Sequence, residues 1–137
     1  MLKESTVSNG VVRTIIVIES DIADAMRQTR ALATQAGFGR IAVCYIATAV
    51  VELTTNLLIH AGGGYFEAEI AADGRWITLV AKDNGPGIAD INLALTDGFS
   101  TVGGLGCGLP GVMRLMEHIE IKTQIGIGTC VVARKSK

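Results

Sequence analysis

Aromatic residues are scarce in this chain, at 4% of 137 positions, and only two prolines and three cysteines occur. With so few rings, small aliphatics must fill the core; the apolar fraction is 49% and the mean hydropathy +0.43. Neither sign of charge is in excess. A formal net charge of −1 leaves no basic footprint, which argues against nucleic acid as the main partner. Cys44, Cys107 and Cys130 are odd in number and widely spaced, so they offer neither a disulfide framework nor metal-ligand spacing. Reduced thiols in a cytosol are expected. An apolar signal core is missing from Met1–Gly10, and the longest apolar run, Ile41–Val51, stops at Glu52, short of the roughly 20 residues a bilayer span takes. A soluble, cytoplasmic protein without a membrane partner is expected. No repeat, linker or low-complexity segment interrupts the chain. Its length suits one domain over residues 1–137, with about the first ten expected to be disordered.

What is present begins with a β-branched run, Val11–Ile18, that reads as a strand. Ser20 or Asp21 caps a helix to about Ala36, and Gly37 and Gly39 end it. A second helix, Arg40 to His60, is apolar nearly all round and is expected to be buried. Strands Tyr65–Ala71 and Trp76–Lys82 flank the hairpin signal Asp73-Gly74. A short helical piece near Ile91–Leu95, a helix from Pro110 to about Glu117, and strands Ile119–Thr123 and Thr129–Ala133 complete the order. Hairpins outnumber βαβ crossovers. The expected fold is an α/β two-layer sandwich, a mixed sheet with helices packed on one face.

Candidate chemistry gathers in three places. Glu52 and Asn56 lie four apart, so they share one face of the apolar helix, where an unpaired polar group costs about 2–7 kcal/mol. They form either a structural polar network or a working pair, with Asn56 giving an oxygen to Mg²⁺ and Glu52 accepting a proton from an attacking hydroxyl. Asp83 ends a strand and precedes Asn84-Gly85-Pro86-Gly87. That is either an ordinary turn or a carboxylate for an adenine amino group, with Gly85 and Gly87 letting backbone approach the ring. Thr129, after Gly128, reaches the base edge by its hydroxyl or is merely a good strand former.

The third place is Gly103-Gly104-Leu105-Gly106-Cys107-Gly108-Leu109-Pro110-Gly111. Glycine amides leading into a helix N-terminus make an anion site for phosphates, and Pro110 suits the first helical turn. A merely flexible loop is the plain alternative. Gly106-x-Gly108-x-x-Gly111 matches the dinucleotide fingerprint formally, but no apolar strand precedes it, and a Walker loop would need a Gly-Lys-Ser/Thr that is missing. Cys107 reads as a small residue that fits rather than a redox thiol, and His60 as a helix-end residue favoured by the dipole.

Taken in order, Glu52-x-x-x-Asn56, Asp83-x-Gly85-x-Gly87, Gly104-x-Gly106-x-Gly108 and Gly128-Thr129 resemble the N, G1 and G2 boxes and closing Gly-Thr of the GHKL ATPase/kinase superfamily. Within it the chain looks most like the RsbT-type serine/threonine-protein kinases, the switch kinases of the bacterial stressosome. The diagnostic stretch runs from Asp97-Gly98-Phe99-Ser100-Thr101 through Gly111-Val112-Met113-Arg114-Leu115-Met116. The resemblance implies a Bergerat-type fold, ATP and Mg²⁺ as cofactors, and phosphorylation of a serine on a small RsbS-like STAS-domain antagonist. It also implies release to a PP2C-type phosphatase or another downstream regulator. By position, Glu52 becomes the catalytic base, Asn56 the Mg²⁺ ligand and Asp83 the adenine acceptor. ATP would be bound by Asn56, Asp83, Gly85, Gly87, Gly104, Leu105, Gly106, Cys107, Gly108, Leu109 and Thr129. Cys107 stands where an alanine-like residue is usual and His60 where an aromatic is common, and the short span Ile88–Gly103 leaves room for only a compact lid. The alternatives are an anti-sigma-factor kinase that binds a sigma factor directly, or an ATP-gated binding module without kinase activity.

Overall fold

The computed structural model of the chain describes residues 5–8, 10–87 and 108–137. Strands β1 (Ser5–Ser8) and β2 (Val11–Ile16) lead into helices α1 (Glu19–Gln35) and α2 (Arg40–Ala61). Strands β3 (Gly64–Ile70) and β4 (Trp76–Asp83) follow, then helix α3 (Gly108–Leu115) and strands β5 (His118–Gln124) and β6 (Gly128–Ser136). The sheet order is β1-β2-β3-β4-β6-β5, with the helices packed against one face. The two-layer α/β architecture is as expected, but the sheet is not mixed: every pairing is antiparallel. The reason lies in the connections. Two helices in succession return the chain so that β3 runs against β2. β4 and β5 point the same way, but β6 inserts between them, so no parallel neighbours remain. Strand β1 falls within the segment expected to be disordered, and the helical piece near Ile91–Leu95 lies outside the described residues.

Local chemistry sets the boundaries. Helix α1 starts before the Ser20 cap, because Asp21 sits inside its first turn and reaches back, its Oδ2 accepting from the amides of Val17 at 2.9 Å and Ile18 at 3.0 Å. Helix α2 ends at Gly62, whose φ of 74° is left-handed, and the Gly63 amide closes the turn on the Leu57 carbonyl at 2.9 Å.

The core lies between the layers. Val12, Thr14 and Ile16 of β2, Phe66 and Ala68 of β3, Ile77, Leu79 and Ala81 of β4, and Val131 and Ala133 of β6 face it at period two. Ile46, Val50, Leu53 and Leu57 of α2 meet them at helical spacing. By length and composition α2 passes as a membrane span, yet only half of its most apolar window is buried, so it is a core helix with one face left outward. Ile41, Tyr45 and Ile59 on that helix are exposed, contrary to the expectation of full burial.

Candidate functional site

Register carries Asp83 and Thr129 to one end of the sheet, where they are partners across β4 and β6. The Asp83 carboxylate is anchored by one oxygen. Its Oδ1 accepts from the Gly85 amide at 2.7 Å, an Asx turn that folds the chain back, and from the Thr129 amide at 3.3 Å. Its Oδ2 takes part in no hydrogen bond among the described residues, and the side chain is half-buried. An acceptor is therefore held in a fixed orientation, with half its capacity unused among the described residues. The neighbouring Thr129 hydroxyl meets that of Thr123 at 2.9 Å, and the Thr123 hydroxyl also donates to the Gly128 carbonyl at 3.3 Å.

The glycines here serve close packing. A Cβ on Gly128, at φ +146°, would lie 2.1 Å from the Asp83 carbonyl oxygen, so no other residue fits without displacing the strand end. A Cβ on Gly85 would meet that of Ala61 at 2.7 Å, which seats the turn against the last residue of α2. On Gly87, at φ +83°, it would meet the Gln124 carbonyl at 2.7 Å, and the Gly126 amide donates to the Pro86 carbonyl at 2.9 Å. Residues 84–87 are thus clamped between α2 and the β5–β6 turn.

Helix α2 brings the second group of candidates. Leu57 packs beside Gly64, itself against Asp83, so the helix half carrying Glu52 and Asn56 lies over the same sheet end. Glu52 is 4% exposed and does not lack a partner. Asn56, one turn on, is half-buried and its amide makes no hydrogen bond among the described residues. Thr54 is buried too, but its hydroxyl donates to the Val50 carbonyl at 2.7 Å within the helix, so it belongs to the core. His60 is exposed in the last turn of the helix.

Gly108 opens α3, and the Leu109 side chain is 8% exposed in the core, so only its backbone faces outward chemistry. Gly104, Leu105, Gly106 and Cys107 lie outside the described residues. Among the described residues no three His, Cys, Asp or Glu side chains gather to hold a metal ion. A divalent cation would therefore draw most of its oxygens from a ligand and water, which is how Mg²⁺ is usually bound beside phosphates, and the Asn56 amide fits as a protein ligand. Sequence reasoning missed Thr123. Its signal was a threonine on the core-facing side of β5, paired in register with Thr129.

Residues 45–136 match the model of the histidine kinase-, DNA gyrase B- and HSP90-like ATPase family. The chain is 43% identical to a serine/threonine-protein kinase RsbT of Bacillus subtilis over 122 residues, 88% of this chain and 92% of the relative. It is 28% identical to an anti-sigma F factor of Clostridium kluyveri over 66% of this chain and 68% of that one. The fold also recurs in a crystal structure of the RsbU and RsbW domains of Rv1364c from Mycobacterium tuberculosis, with a TM-score of 0.67 at 16% identity. That alignment covers 94% of this chain and 33% of the other.

Proposed function

The chain belongs to the histidine kinase-, DNA gyrase B- and HSP90-like ATPase family and is a serine/threonine-protein kinase within it, and from that premise we propose that it phosphorylates a serine of a small STAS-domain antagonist and thereby switches partners in cytoplasmic bacterial stress signalling. The observation that carries the nucleotide reading is the Asp83 carboxylate, fixed through Oδ1 by two backbone amides while Oδ2 bonds to none of the described residues. Such an acceptor, set among glycines that keep the backbone bare, suits the exocyclic amino group of adenine.

The other roles follow from position. The Thr129 hydroxyl, steadied by Thr123, borders the base. Asn56 would hold Mg²⁺ as its protein ligand, and the ion would supply charge neutralisation at the phosphates. The N-terminal amides of α3, from Gly108, and the glycines before it, Gly104 and Gly106, hold the phosphates. Glu52, buried one turn from Asn56, takes the proton of the attacking serine hydroxyl, a role worth about 10²–10⁴-fold in rate. Burial suits the task, since Glu52 is kept from bulk water while it orients the nucleophile.

Incubation of the chain with γ-labelled ATP, Mg²⁺ and a STAS-domain protein tests the reading. Label on a serine of that protein is the expected result; ATP binding without transfer would leave a nucleotide-gated binding module. The similarity to anti-sigma factors favours one second reading, direct capture of a sigma factor. Stable co-purification with a sigma factor, and no transfer to a STAS protein, would select it.

A further inference from the structure

At the end of the molecule away from Asp83, α2 leaves Ile41 71% exposed and Tyr45 43% exposed. They stand four apart and so share one helix face. Cations lie on the neighbouring segments. The Lys135 ammonium lies 5.3 Å from the Tyr45 ring centre and donates to the Leu115 carbonyl at 3.1 Å. The Lys137 ammonium lies 5.8 Å from the Phe38 ring centre, and the Lys137 amide bonds the Arg75 carbonyl at 2.8 Å. Arg40 is exposed beside Ile41 and forms no ion pair among the described residues. Two acids on the same segments offset part of this charge, and Lys135 acts directly on one of them, Glu117. Asp73 accepts from the Arg75 amide at 2.9 Å, and Glu117 accepts from the Ser136 amide at 2.8 Å and its hydroxyl at 2.6 Å. In a chain of net charge −1 the three cations named still outnumber these two acids beside two exposed apolar side chains.

We propose that this face, Ile41 and Tyr45 rimmed by Arg40, Lys135 and Lys137, is a docking surface for an acidic segment of a partner protein that carries an apolar anchor. An exposed tyrosine flanked by basic groups has the composition of an interface hot spot, with the ring as anchor and the cations setting register and encounter rate. Anionic lipid is the less suited occupant, because stable attachment to such a surface takes clusters of about 4–8 basic residues, and here Asp73 and Glu117 offset part of the charge. Tyr45 precedes Asn56 by 11 residues, about 16 Å along the helix, so a partner held here leaves the sheet end at Asp83 accessible.

The test uses the full chain, immobilised at its N-terminus, to select from phage-displayed random 12-residue peptides; selected sequences are then synthesised with fluorescein and titrated by anisotropy. The expected peptides are rich in Asp and Glu around a leucine or aromatic, and bind more weakly as salt rises. Tyr45→Ala, and separately the pair Arg40→Glu with Lys135→Glu, should each weaken them about tenfold or more. An unchanged melting point and circular dichroism spectrum show that these variants are folded, and Ile41→Asp, the more exposed of the two apolar positions, serves if Tyr45→Ala is not. Failure to select any peptide, selection without acid enrichment, or binding that survives both sets of substitutions would overturn the proposal. So would capture of 7:3 phosphatidylcholine–phosphatidylserine vesicles that is lost in the same variants.

Discussion

Glycines turn the chain at both ends of the sheet, yet they do different physical work. At the end with Gly10 and Gly74, φ is +81° and +74°, and a Cβ would find nothing nearer than 3.8 Å and 4.0 Å. Those positions need backbone freedom and nothing else. At the other end, Cβ atoms on Gly64, Gly85, Gly87 and Gly128 would meet backbone or Ala61 at between 2.1 and 2.7 Å. There the missing side chain lets strand ends, turn and helix close on one another, and the Asp83 carboxylate is oriented by that closure. A glycine can thus act through its missing side chain alone, by bringing together the backbone that orients a neighbouring carboxylate.

The comparison is broken hardest at Gly128. Gly128→Ala adds both strain at positive φ and a collision with the Asp83 carbonyl, so a loss of about 2–6 kcal/mol in stability is expected, with ATP binding abolished in whatever remains folded. Urea titration followed by calorimetry on the same preparation checks it. Glu52→Gln preserves shape but cannot accept a proton. It is expected to bind Mg·ATP normally and to transfer phosphate at least roughly a hundredfold more slowly in single turnover. A wild-type rate would remove Glu52 from the chemistry, an outcome that the loose transition state of phosphoryl transfer permits.

Gly74→Ala sharpens the contrast from the other side. With only positive φ against it, it should lose about 1–2 kcal/mol and leave ATP affinity untouched. The smallest effect lies at Glu117. The hydrogen bonds from Ser136 hold its carboxyl below the ordinary value of 4.5, so its contribution is present above that pH and disappears as pH falls through the lowered value. Because the group is fully exposed the effect is modest. Urea midpoints at about pH 6 and pH 3 should converge slightly in Glu117→Gln.

How much of this was legible in the sequence follows the same division. Asp83-Asn84-Gly85 and Gly128-Thr129 could be read because a missing Cβ and an Asx turn leave marks within a few residues. The turn at Asp73-Gly74 was legible for the same reason. Thr123 was not, since its hydroxyl acquires meaning only when β5 and β6 pair in register. Nor was the antiparallel order, because the insertion of β6 between β4 and β5 is a long-range choice that no local pattern encodes. Strand β1, Ser-Thr-Val-Ser, is too polar and short to announce itself. On α2, apolar residues all round concealed which face stays outward, so Ile41 and Tyr45 emerged only from the packing.

Calorimetric titration of Asp83→Asn with Mg·ATP, beside a melting curve, addresses the nucleotide site most directly. Oδ1 bonds to backbone amides that an asparagine oxygen can still accept, so the fold should survive, while the charged acceptor for adenine is lost. The expected result is a melting point within a few degrees of wild type and no measurable ATP binding. Wild-type ATP affinity in the folded variant would contradict the assignment of this sheet end as the nucleotide site.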